Sequence, residues 1–74
     1  MSKLHTSADV LRALARAGFV QVSQRGSHLK LRKDAQGLAL TVIVPHPARE
    51  LPRGTFDSIL KQAGMTHEAF DRLV

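Results

Sequence analysis

Four histidines, His5, His28, His46 and His67, are the side chains in this 74-residue chain best suited to moving protons near neutral pH. No two of them are spaced i, i+4 or set in an HExxH pattern, and no group of Asp and Glu suggests a two-metal site. Cysteine is absent, which removes disulfides and thiolate chemistry. Gly26 stands alone in "RGS", too short to cradle a diphosphate. Neither a metal nor an organic cofactor is therefore expected. What remains is imidazole chemistry, and His28 is the histidine placed for it.

His28 heads the segment "HLKLRK". Read as a strand, Leu29 and Leu31 face inward and His28, Lys30 and Arg32 face outward. At strand rise the two cations lie about 7 and 13 Å along the same face from the imidazole. A polyanion that carries its own nucleophile suits such a row. RNA does, with a 2′-hydroxyl beside every phosphate. Cleaving it takes a proton acceptor, a proton donor for the leaving 5′-oxygen, and positive charge near the phosphate. His28 is the candidate for proton transfer, and Lys30 and Arg32 for phosphate contact. Arg25 adds charge from the preceding turn, and Ser27 has a hydroxyl within reach of a phosphate or the ring. The second proton-transfer group is open among water, Ser27, Lys30 and the substrate itself. An exposed strand histidine without a role is the competing reading.

The elements that must position this row follow from the pattern. A first helix starts at Ser7 as N-cap, with Asp9 in its first turn. Val10, Leu11, Leu14 and Ala17 form its apolar stripe, and Gly18 stops it. "FVQVSQ" alternates as a strand, with Val20 and Val22 on one face and Phe19, Gln21 and Ser23 on the outward one. Arg25-Gly26 turns into the histidine strand, and "DAQG", bracketed by Asp34 and Gly37, turns into "LALTVIV". This most apolar strand is expected to be the best buried, and Pro45 and Pro47 end it. A second helix is N-capped by Thr55 or Gly54, with Asp57 in its first turn. It buries Phe56, Ile59, Leu60 and Ala63 and stops at Gly64. "THEAFDRLV" is either a short docked helix or a frayed tail. The order is α-β-β-β-α in one small α+β domain, residues 1–74, a three-stranded antiparallel sheet with helices on one face. The other face is left open to water or a partner.

Eleven Lys and Arg against six Asp and Glu give a formal charge of +5 and a pI near 10.9. Such an excess on a small domain points to a nucleic-acid partner; Arg49, Arg53 and Lys61 either widen the basic surface or are ordinary solvated residues. Three Phe, with no Trp or Tyr, argue against a single-strand stacking platform. "MSKLHTSADV" has no apolar signal core and no run approaches the roughly 20 apolar residues of a membrane span. A cytoplasmic location is expected.

"GFV" after the first helix, "RGSHLKLRK", a hairpin ending in "VPHP", and "ELPRGTFDSILKQAGMTHEAF" together resemble the HicA (YcfA-like) mRNA interferase toxins of type II toxin–antitoxin systems. The resemblance runs from about Val10 to Phe70. It implies a fold similar to a double-stranded-RNA-binding domain and metal-independent cleavage of mRNA that arrests translation. It also implies a catalytic role at His28 and inhibition by a HicB-type antitoxin that covers the active site. Many relatives carry Pro-x-His after the third strand. Here the order is Pro45-His46-Pro47, so His46 enters only as an auxiliary candidate. A non-catalytic RNA-binding module using the same basic face is the alternative, as is a subunit that only binds protein.

Overall fold

The computed structural model describes residues 4–74. In chain order it contains α1 (Ser7–Arg16), β1 (Val20–Arg25), β2 (His28–Ala35), β3 (Leu38–Pro45), α2 (Arg53–Ala63) and α3 (His67–Leu73). The strands form one antiparallel sheet in the order β1-β2-β3. Leu29 and Leu31 of β2 and Val42 and Val44 of β3 join Val10 and Leu14 of α1, Ile59 and Leu60 of α2 and Phe70 of α3 in a single core. One sheet face is thus covered by helices and the other is open, as the alternation in β2 requires.

Helix α1 begins one residue earlier than expected. Thr6, not Ser7, is the N-cap: its hydroxyl oxygen accepts the Asp9 N–H at 3.0 Å, and Asp9 Oδ2 accepts the Thr6 N–H at 3.4 Å. This reciprocal box satisfies two amides that the first turn leaves without helical partners. Thr6→Ala is expected to cost about 1 kcal/mol. The melting temperature should then fall by about 4–8 °C for a domain of this size.

The end of α1 explains the main departure in the sheet. Gly18 takes φ +102°, and two bonds wrap the last carbonyls, Gly18 N–H to Ala15 at 3.1 Å and Phe19 N–H to Leu14 at 2.9 Å. In this cap the residue after the glycine turns back onto the helix. Phe19 is therefore buried, where strand parity placed it outward. With Phe19 filling that part of the core, β1 has no buried residue. A bulge between Gln21 and Ser23 breaks its alternation, and Val20 and Val22 are exposed.

Strand β3 lies at an edge of the sheet, and its burial matches that of β2. Val42 and Val44 are fully buried, whereas Leu38 and Ile43 are exposed. An apolar run covered on one face buries only alternate residues. The central position belongs to β2, paired along its whole length, from His28↔Pro45 to Ala35↔Leu38 on the β3 side. The β2–β3 turn is shorter than "DAQG": only Gln36 and Gly37 lie outside the strands, with φ of 51° and 78°. Two positive φ values in a two-residue loop match the twist of antiparallel strands.

Helix α2 also starts earlier than Thr55. Pro52 is the N-cap, without a side-chain cap, and the first turn holds no acidic residue. Gly64 at φ +65° ends it as expected. The C-terminal segment is docked: Thr66 caps α3 by accepting the Ala69 N–H at 3.1 Å, and Phe70 is fully buried.

Candidate active site

His28, Lys30 and Arg32 all stand exposed on the open face of β2. Their backbone is held on both sides: His28 pairs with Arg25 of β1 and Pro45 of β3, and Lys30 with Ser23 and Ile43. The turn before His28 is fixed as well, since the Ser27 carbonyl accepts the His46 N–H at 2.8 Å. The side chains are a different matter. Among the described residues no hydrogen bond or ion pair engages the His28 ring, the Lys30 ammonium, the Arg25 guanidinium or the Ser27 hydroxyl. A rigid strand thus presents unengaged polar groups, the condition for meeting a ligand without breaking internal bonds.

Arg32 differs, with its Nε 3.3 Å from Asp34 Oδ1, both side chains being largely solvent-exposed. Exposed pairs of this kind contribute about 0–1 kcal/mol, so the pair is no barrier to a phosphate. Exposed Val20 and Ile43 flank the cations on the neighbouring strands.

His28 opens onto a shallow groove of about 370 Å³ between the sheet and α2. Ile43 and Pro45 form one wall, and Gly54, Thr55, Ser58 and Gln62 the other. Gln62 ties the walls together. Its Oε1 accepts the Ile43 N–H at 2.9 Å, an edge amide that β2 does not reach, and its Nε2 donates to Ser58 Oγ at 3.2 Å. Gly54 keeps the approach clear, because a Cβ there would meet nothing within 4 Å. Among the described residues, His28 is the only titratable side chain in the lining. Thr55, Ser58 and Gln62 carry no local signal of this role, since the side of α2 that meets the β3 edge is decided by packing.

His46 does not line this groove. Its Nδ1 lies 2.9 Å from Ser7 Oγ, across 39 residues of chain. Ser7 Oγ also accepts the Ala48 N–H at 2.9 Å. The residue read as a helix cap is in fact a buried anchor, joining α1 to the loop after β3. The His46 backbone N–H holds the Ser27 turn. His5 and His67 lie apart from His28, around a second cavity. No three His, Cys, Asp or Glu among the described residues are placed to hold a metal ion together.

The family model described as the HicA toxin of bacterial toxin–antitoxin systems matches residues 7–65. That span takes in α1, the entire sheet and α2, and with them both walls of the groove. No curated protein matches the chain.

Proposed function

The chain belongs to the HicA toxin family of bacterial toxin–antitoxin systems, and on that basis we propose that it is a metal-independent endoribonuclease that cuts mRNA and arrests translation. A HicB-type antitoxin restrains it by covering the open sheet face, and it acts in the cytoplasm. No helix among the described residues is long and apolar enough to cross a membrane.

The observation that supports this reading most is the setting of His28: unengaged, alone as a titratable group in its groove, and at the head of a cationic row. In the proposed reaction the neutral imidazole takes the proton of a 2′-hydroxyl. The 2′-oxygen bonds to the adjacent phosphorus and the bond to the 5′-oxygen breaks, which leaves a 2′,3′-cyclic phosphate and, after protonation, a 5′-hydroxyl. Attacking and leaving oxygens lie on opposite sides of the phosphorus, so one imidazole serves one of them. Protonation of the leaving group falls to Lys30 or to solvent. Lys30, Arg25 and Arg32 bind the phosphates and offset the charge that builds on the phosphoryl oxygens. Arg25, paired across from His28, is the nearest along the sheet.

The test is incubation of the purified protein with a defined single-stranded RNA in EDTA. Cutting that resists EDTA supports the proposal. RNA that is bound but left intact overturns it in favour of a binding module on the same basic face.

The cationic row has its own test. The Lys30 ammonium has no partner among the described residues, so its charge is free for a phosphate. Lys30→Ala should weaken RNA binding about equally for all sequences and reduce the slope of log affinity against log salt by about 0.7. Arg32→Ala, with Asp34 already beside it, should change the slope less. Filter binding across a salt series reads both.

A further inference from the structure

Cleavage at His28 makes no use of the second cavity, about 410 Å³ in volume, at the junction of α2, α3 and the segment before α1. This volume falls within the range of sites that take small ligands, roughly 300–1,000 Å³. One wall is aromatic. Phe56 and His5 lie 5.1 Å apart at an angle of 33°, and both are braced from behind by Phe70, at 4.9 and 4.8 Å. His67 meets Phe56 edge-on at 5.5 Å. The charged lining comprises Arg53 and two carboxylates, Asp57 and Asp71. Asp57 Oδ1 is held by His67 Nε2 at 3.0 Å, while Asp71 has no hydrogen bond or ion pair among the described residues.

This cavity is joined to the His28 groove. Gly54 and Ser58 line both that groove and a depression over α2, and Asp57 and His67 line both the depression and the cavity. The groove, the depression and the cavity therefore adjoin in series, with Gly54, which has no side chain, shared by the first two. Lys61 borders the depression.

We propose that the cavity receives one unpaired base of the strand cut at His28, and that the base is guanine; this rests on the ribonuclease reading above. Two carboxylates against one guanidinium, Arg53, disfavour a phosphate there, whereas an aromatic wall suits a nucleobase stripped from its stack. Carboxylates only accept hydrogen bonds. Guanine alone among the four bases offers two adjacent donors, N1–H and N2–H, on its Watson–Crick edge. The amino groups of adenine and cytosine sit beside an acceptor nitrogen, and the imide N–H of uracil sits between two carbonyls. Each of those edges sets a lone pair against a carboxylate. Asp71 supplies the free acceptor, and Phe56 with His5 the stacking surface.

The experiment uses His28→Ala protein, so that binding is read without cutting, and short pyrimidine RNAs carrying one guanosine, inosine or adenosine. About tenfold tighter binding of the guanosine RNA, reduced for inosine and abolished by adding Asp71→Asn, is the expected result. Asp71 is exposed, so this variant should keep its fold. Equal affinity for all three RNAs overturns the proposal, as does a guanine preference that survives Asp71→Asn. Unchanged RNA binding with lost binding of an inhibitor protein also overturns it, assigning the cavity to a cationic side chain of that protein. Cutting by the wild-type chain in EDTA is scored separately. Its absence beside a retained guanine preference removes the ribonuclease reading alone.

Discussion

Phe70→Ala should lower the stability of this protein by about 3–5 kcal/mol, the cost of emptying a fully enclosed aromatic site. Phe70 is completely buried although it sits in a helix of only seven residues. Helices so short do not persist alone in water, so α3 is held by what it docks on. Phe70 meets Phe56 and His5, and Arg16 of α1 donates to the Leu73 carbonyl at 2.7 Å. A chain of 74 residues has a total stability of roughly 4–11 kcal/mol at typical values per residue. The substitution should therefore leave a large unfolded fraction at 37 °C. Urea denaturation followed by circular dichroism reads the effect. A loss below about 1 kcal/mol would mean that α3 is frayed in solution and that the core closes without it.

His28→Ala should do the opposite, sparing the fold and removing the chemistry. The side chain is exposed and makes no bond among the described residues, so stability should change by less than about 0.5 kcal/mol. Single-turnover RNA cleavage should drop about 10²–10⁴-fold, the usual contribution of a positioned acid–base group. RNA affinity should stay within about twofold, because the cations carry it. His46→Ala should behave differently. It removes a ring that touches Ser7 rather than the groove, so its loss should appear as reduced stability. A comparable loss of cleavage from His46→Ala at full stability would place His46 in the chemistry.

The histidine strand was legible because its alternation is local. Leu29 and Leu31 against His28, Lys30 and Arg32 fixes one inner and one outer face whatever the rest of the chain does, and the structure has both. The helix stops at Gly18 and Gly64 were legible for the same reason, since each needs a left-handed φ that glycine adopts readily. Family membership was also readable, from "RGSHLKLRK" and "ELPRGTFDSILKQAG" taken together.

What was missed depends on contacts between distant segments. Phe19 follows strand parity in sequence but is turned inward by the helix cap before it. Val20 and Val22 look like core residues until the Gln21–Ser23 bulge and the limited reach of the helices leave them outside. Ser7 and Thr6 are both good caps, and the choice went to Thr6 because Ser7 is bonded to His46 and Ala48. Of the groove, only the His28 side was readable; the Thr55, Ser58 and Gln62 wall exists because α2 lies along the β3 edge.

The measurement that bears most directly on the proposed chemistry is the identity of the RNA ends left by the wild-type protein in EDTA. A 2′,3′-cyclic phosphate on the upstream fragment and a 5′-hydroxyl on the downstream one, lost together in His28→Ala, is the predicted result. Fragments ending in 3′-hydroxyl and 5′-phosphate, or cleavage that continues unchanged without His28, would contradict it.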